Sequence, residues 1–289
     1  MCGICGYWCP QIEDSGNTIN KMLSTLQKRG PDSSDKWEDK EQGITIGHAR
    51  LAVLDISDHG RQPMRSSNGR YLISYNGEIY NHNELRKALK KEKCQINWKS
   101  SSDTETILEA ISYWGLDSAL NKFIGMFSFC LWDKYEKKIF LVRDRLGEKP
   151  LFYYKKNNTL IFGSELRTIE CHPYFIDKVS PRNLSEYLNY GYISKENTIY
   201  EICKQVEPGK ILEIEYRKGF VIRDRSYWSI LNKINNSNNH FIGNKEEAIS
   251  ELESLLLNTI NGQMIADVPI GAFLSGGIDS SCIVALMQK

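Results

Sequence analysis

The sequence predicts an α+β fold with a mostly antiparallel sheet, followed by the first elements of a second, α/β unit. Three observations carry this. Between residues 42 and 223 short apolar runs recur, separated by turn-forming pairs. Two stretches of helical period interrupt them, the second opening on a cap. After a polar break at 231–245 come an amphipathic stretch, an apolar run and a glycine-rich turn.

In order, ITIGH and RLAVLD read as two short strands within 42–55. Residues 71–75 and 78–80 read as a strand pair split at Asn76-Gly77, since Asn-Gly is the strongest short hairpin signal. Residues 83–91 read as a helix through Leu85 and Leu89. Ser102-Asp103-Thr104-Glu105 has the spacing of a capping box, opening a helix with Ile107, Leu108, Ile111 and Trp114 on one face. Strands are expected at 126–132, 138–143, 151–155, 160–164, 211–216 and 220–223, with turns near Tyr135-Glu136, Asn157-Asn158 and Lys218-Gly219. The Asn-rich segment 231–245 reads as a linker. Beyond it a helix is expected over 246–264, a buried-type strand over 268–274 and a helix over 280–288. The expected division is therefore 2–220, a linker at 221–245, and a second unit at 246–289. One strand–loop–helix unit cannot cover both faces of a parallel sheet, so a fragment, or one half of a two-chain assembly, is expected.

The 289 residues set a prior of about two domains. A 41% hydrophobic and 25% charged composition excludes disorder and fibres. Lys+Arg at 37 against Asp+Glu at 36 argues against a broad nucleic-acid or membrane-surface footprint. No apolar run reaches the ~18–20 residues of a membrane span, and MCGICGYW lacks the basic start and long apolar stretch of a signal peptide. A cytoplasmic chain with its eight cysteines reduced is expected.

Cys2 is the first candidate for chemistry. Removal of Met1 would give one residue both a thiol and a free α-amine, hence a nucleophile with its own base, and Gly3 would let a substrate approach the backbone. Chance placement of a cysteine after Met is the plain alternative. Cys2, Cys5 and Cys9 lack a fourth Cys or His nearby, which argues against zinc. Arg29-Gly30-Pro31-Asp32 reads as a surface turn. Arg50 is either an ion-paired arginine or a bidentate clamp for a carboxylate. Asn76-Gly77-Glu78 serves as a hairpin turn or as an oxyanion hole, from the Asn76 amide and the Gly77 N–H. Asp103 is a cap carboxylate or a partner for an ammonium group. Ser275-Gly276-Gly277-Ile278-Asp279-Ser280 could cradle phosphate at a helix start, with Asp279 on Mg²⁺. It lacks the Gly-Lys-Ser/Thr ending of a P-loop.

Together, MCGICG, KRGPD, HARLAVLD, NGEIYNHNELR, SSDTE, VRDRLGEKPLFYY and LSGGIDSS, in that order, resemble the glutamine-dependent asparagine synthetase family almost end to end. The resemblance implies a four-layer α/β/β/α sandwich of the N-terminal-nucleophile hydrolase type, then the start of a pyrophosphate-loop ATP-pyrophosphatase domain. It implies Cys2 as nucleophile, Arg50 on the glutamine α-carboxylate, and Val53, Glu78 and Asp103 at its amino end. Asn76 and Gly77 become the oxyanion hole. Leu274, Ser275, Gly276, Gly277, Asp279 and Ser280 become ATP contacts, with Asp279 at Mg²⁺. Glutamine, ATP and aspartate are the implied substrates, with room for a homodimer. Related amidotransferases carry sugar-isomerase or phosphoribosyl-transfer partners, against which SGGIDS argues. A β-lactam synthetase relative is expected to lack Cys2. Another carboxylate acceptor, a stand-alone glutaminase half, or a non-catalytic relic are the alternatives.

Overall fold

The computed structural model describes residues 1–12, 14–92, 95–236 and 241–289. In chain order the strands are β1 (Gly3–Trp8), β2 (Ser33–Asp39), β3 (Ile44–Arg50), β4 (Met64–Arg65), β5 (Tyr71–Ile79), β6 (Gly125–Asp133), β7 (Lys138–Arg143), β8 (Phe152–Lys156), β9 (Thr159–Gly163), β10 (Cys203–Gln205), β11 (Lys210–Tyr216) and β12 (Phe220–Ser226). The helices are α1 (Ser15–Thr25), α2 (His82–Lys91), α3 (Asp103–Trp114), α4 (Leu116–Lys122), α5 (Leu166–Glu170), α6 (Pro181–Tyr190), α7 (Ile230–Asn236), α8 (Lys245–Gln263) and α9 (Ile278–Gln288).

The strands form two sheets, ordered β10-β8-β9-β1-β3-β2 and β12-β11-β7-β6-β5-β4. Within β5, Leu72 points to the inter-sheet core with Ile4, Ile46 and Trp132. Its neighbours Tyr71, Ile73 and Tyr75 point the other way, onto Leu85, Leu89, Ile107 and Ile111 of α2 and α3. Likewise Ile4 and Trp8 of β1 face the second sheet, while Cys5 and Tyr7 face Ile19, Met22 and Leu26 on the α1 side. This period-two split of strands apolar on both faces builds three cores between four layers: α1 and α5, sheet, sheet, then α2 to α4. The expected α/β/β/α sandwich is the structure observed.

Several local expectations change. Asn76-Gly77 is no hairpin. It lies inside β5, whose ladder with β6 runs unbroken from Tyr71↔Asp133 to Ile79↔Gly125. Glycine is needed there because a Cβ would come 2.1 Å from the Met126 carbonyl oxygen and 2.6 Å from Phe127 Cα. Tertiary pairing overrides the local turn preference. RLAVLD is not a strand: the chain leaves β3 after Arg50 and curls, because the Arg50 guanidinium gathers the carbonyls of Ser57 (2.8 Å) and Asp55. Ser102 caps α3 through the Thr104 N–H (3.1 Å). Glu105 does not complete a capping box. Its carboxylate accepts from the Lys99 and Ser100 N–H groups, at 2.9 and 2.8 Å. Residues 268–274 form no strand, having no neighbouring strand to pair with among the described residues, and Phe273 is fully exposed. In the segment read as a linker, α7 occupies the start, and residues 237–240 lie outside the described residues, as does Cys94. The turns at 135–136, 157–158 and 218–219 are present, with Asn157 at φ 49°.

Candidate active site

Before the start of β1, the two sheets, the loop after β3 and the start of α3 enclose a cavity of about 110 Å³. Its lining includes every first-domain site residue expected from the sequence: Cys2, Arg50, Val53, Asn76, Gly77, Glu78 and Asp103. Met1 also lines it, and its sulfur accepts from Lys149 Nζ at 3.5 Å.

The Cys2 thiol is held at the Leu51 backbone, 3.4 Å from the N–H and 3.5 Å from the carbonyl oxygen. Burial pushes its pKa up, against the Leu51 hydrogen bond, while burial pushes the chain-terminal amine below its ordinary 8.0. Burial thus keeps the thiol neutral, and the lowered amine is that of Met1; the Cys2 nitrogen becomes an amine only once Met1 is removed. Arg29 fixes the other side of Cys2: its Nε donates to the Cys2 carbonyl at 3.0 Å, and its guanidinium pairs with Glu165 at 3.3 Å. The segment read as a surface turn is therefore a clamp. Asp32 accepts from the Ala52 N–H at 2.8 Å, and a Cβ on Gly30 would come 2.1 Å from the Ala49 backbone. Gly3, read as an opening for substrate, instead sits against Leu26, whose Cβ lies 3.0 Å from where its own would be.

Asn76 is 1% exposed, and its Nδ2 has no hydrogen-bond partner. A buried amide donor without an acceptor is costly, and this one belongs to a residue on the wall of the cavity. Asp103, at the first position of α3, accepts on Oδ2 from the Tyr75 hydroxyl (2.8 Å) and the Ile79 N–H (2.9 Å), bracketing Asn76-Gly77 on β5. Burial pushes the Asp103 carboxyl up, opposed by the Ile79 N–H and the Tyr75 hydroxyl. Burial, then repulsion from Asp103, pushes Glu78 up. Lys149 is buried and pushed down by burial, with Glu78 opposing the shift. Two carboxylates and two cations thus share the cavity wall, a charge pattern suited to a zwitterion.

Arg50, 7% exposed, gives NH1 and NH2 to the loop that follows it, and a Cβ on Gly60 would meet its NH2 at 2.1 Å. In that loop Asp55 takes a left-handed φ of 51°. Its carboxylate accepts from Ser57 and from the Ser101 N–H (2.8 Å). Burial alone would raise the Asp55 carboxyl, but these bonds and Arg50 outweigh it and hold the pKa down. Lys149 and Gln62 are not singled out by the sequence, and Arg29 is read there only as part of a surface turn. Gln62 bridges β5 and α3, accepting from the Tyr75 N–H at 2.7 Å and donating to Thr104 Oγ1 at 3.2 Å.

Leu274, Ser275, Gly276, Gly277, Asp279 and Ser280 do not line this cavity; all are exposed except Ser280, which is half-buried. Gly276 makes the turn at φ 79°. The Ser275 and Ser280 hydroxyls lie 3.0 Å apart, and α9 starts without a side-chain cap. Uncapped N–H groups with two hydroxyls form a donor set that fits phosphate. A lone Asp279 carboxylate fits a cation only when phosphate supplies further ligands. Among the described residues no group of three His, Cys, Asp or Glu side chains could hold a metal by itself.

A family model described as a glutamine amidotransferase domain matches residues 1–228, and one described as asparagine synthase matches residues 251–289. The chain is 36% identical to asparagine synthetase [glutamine-hydrolyzing] 3 of Bacillus subtilis, over 99% of this chain and 45% of the relative. It is 35% identical to a putative asparagine synthetase [glutamine-hydrolyzing] 2 of Methanocaldococcus jannaschii, over 100% of this chain and 57% of that one. The chain thus spans about half the length of the curated relatives it matches. Among solved structures, glutamine phosphoribosylpyrophosphate amidotransferase from B. subtilis superposes with a TM-score of 0.56 at 19% identity, covering 78% of this chain and 49% of that one. That likeness shows that the two-sheet sandwich is a fold shared with that protein. With the matched model covering the whole two-sheet sandwich and its cavity, the chain belongs to the glutamine amidotransferase domain family.

Proposed function

We propose that this chain is the glutaminase part, and the opening of the synthetase part, of a cytoplasmic glutamine-hydrolysing asparagine synthetase. Residues 2–228 form the glutaminase, because β12 (Phe220–Ser226), expected in the linker, pairs with β11 in the second sheet; residues 229–244 are the linker and 245–289 the start of the ATP-dependent unit. The observation that carries the reading is the buried, unpartnered Asn76 Nδ2 on the wall of the cavity that also holds the Cys2 thiol. Among the described residues no helix is long and apolar enough to cross a membrane.

With Met1 removed, the freed Cys2 amine takes the thiol proton and Sγ attacks the γ-carboxamide carbon of glutamine. Arg50 holds the α-carboxylate, while Val53, Glu78 and Asp103 hold the amino end. Negative charge develops on the amide oxygen and is met by Asn76 Nδ2 and the Gly77 N–H. Collapse breaks the C–N bond, the protonated amine returns its proton to the leaving nitrogen, and ammonia departs. Water then hydrolyses the γ-glutamyl thioester to glutamate. The ammonia is consumed at an aspartate carboxylate activated by adenylation. Residues 274–280 would hold the ATP that supplies that adenylyl group, and Asp279 would help hold its Mg²⁺. Cys2→Ala should abolish glutamine hydrolysis and leave synthesis from added ammonia intact. A variant that still hydrolyses glutamine at the wild-type rate would remove Cys2 from the chemistry.

A further inference from the structure

Asp267 lies outside the residues that match the amidotransferase model, in the stretch between α8 and the phosphate-type loop. Yet it is bonded to the loop that walls the Cys2 cavity. Its N–H donates to the Val53 carbonyl at 2.9 Å, and its Oδ2 accepts from the Asp55 N–H at 2.7 Å. One residue therefore spans positions 53 and 55 of that loop with both its backbone and its side chain. A second observation places the same segment here: a Cβ on Gly262, near the end of α8, would lie 3.5 Å from Tyr80 Cβ, just beyond β5.

The position it grips is the one that most needs fixing. Asp55 sits at a left-handed φ without being glycine, a conformation that persists only where surrounding bonds over-determine it. Its carboxylate is tied to Ser57 and Ser101, its carbonyl oxygen to Arg50, and its N–H to Asp267. Loss of the Asp267 acceptor leaves the Asp55 N–H to solvent and releases one anchor of a loop that carries both Val53 and the backbone partners of Arg50.

We propose that Asp267 is a positioning residue for glutamine, contributed by the ATP-side segment, so that the glutamine grip depends on how that segment is seated. The inference rests on reading the cavity as a glutamine site. Asp267 touches neither Cys2 nor the Asn76 amide, so its effect falls on binding rather than on the chemical step.

The test compares Asp267→Ala with Asp267→Asn in the intact protein. Asparagine keeps a side-chain oxygen for the Asp55 N–H; alanine does not. Asp267→Ala should raise KM for glutamine about five- to tenfold with kcat within about twofold, and Asp267→Asn should stay near wild type. Hydrogen exchange at the Asp55 amide should quicken in Asp267→Ala alone. This reads the strap without reference to activity, so a wild-type protein that hydrolyses no glutamine defeats the proposed function while the exchange result still decides the loop. Should Asp267→Ala not fold, Asp267→Glu, which displaces the carboxylate by one methylene, should show the same KM rise. An unchanged KM and unchanged Asp55 exchange, a fall confined to kcat, or equal loss in Ala and Asn variants would each overturn the assignment.

Discussion

Asn76→Ala separates catalysis from stability in a way the surroundings of Nδ2 make quantitative. In the folded protein that nitrogen is buried with no acceptor, a state that costs about 1–3 kcal/mol of stability. Alanine removes the orphaned donor and recovers that cost, but loses the packing of a side chain only 1% exposed. The two effects are of similar size and opposite sign. For a unit of this length about 1 kcal/mol corresponds to ~2–4 °C in melting temperature, so Tm should move by less than about 4 °C. The same substitution deletes a donor to the developing oxyanion, worth roughly 10²–10³ in kcat. The assays are steady-state glutamine hydrolysis and thermal unfolding on the same preparations. A variant with kcat unchanged, or one whose lost activity tracks a lower melting temperature, would show that Asn76 is a structural residue of β5.

Arg50→Lys should raise KM for glutamine with little change in kcat, because a point charge cannot both hold the Ser57 and Asp55 carbonyls and face a carboxylate with two parallel donors; equal KM values would leave Arg50 as a loop strut. A third expectation concerns acid. Burial pushes His48 down to about 3 and His172 to about 4, so each stays neutral in the folded chain while its unfolded counterpart takes a proton below the ordinary 6.5. Unfolding therefore takes up protons as pH falls from 6.5 towards 4, and stability, full above 6.5, drops by about 1.4 kcal/mol per pH unit for each histidine. Denaturation series across that range should show the slope shrink by about one proton in His48→Leu; an unchanged slope refutes the assignment to His48.

The clustering of the candidate site residues was more legible than the backbone that carries them. Cys2, Arg50, Val53, Glu78 and Asp103 share one cavity, as the ordered motifs implied. Asn76-Gly77 was read as a tight turn because a dipeptide preference is local, whereas the clash of a Cβ with the Met126 carbonyl is visible only once β6 lies alongside. β1 escaped notice because both its faces are buried, so GICGYW shows no alternation of apolar and polar residues. Lys149 and Arg29 resemble ordinary surface cations in sequence. Only folding places Lys149 across the cavity from Glu78 and turns the Arg29 guanidinium onto the Cys2 carbonyl. The apolar run at 268–274 looked like a strand because side-chain character was present without a pairing partner, and an unpaired strand has no ladder to hold it.

The placement of Asn76-Gly77 inside a paired strand bears on how long the molecule lasts as well as on how it works. Asn-Gly is the dipeptide in which a side-chain amide is most readily lost. The following backbone nitrogen closes on the asparagine side-chain carbon, expelling ammonia and leaving a succinimide that opens to aspartate or isoaspartate. Ring closure needs the Gly77 nitrogen to swing onto the Asn76 side chain. In β5 both residues are held extended against Ser128 and Phe127 of β6, and the swing requires unpairing the ladder around them. The strand thus shields from chemical ageing the amide proposed to meet the oxyanion, so deamidation at Asn76 should report local opening of β5 and β6 rather than elapsed time.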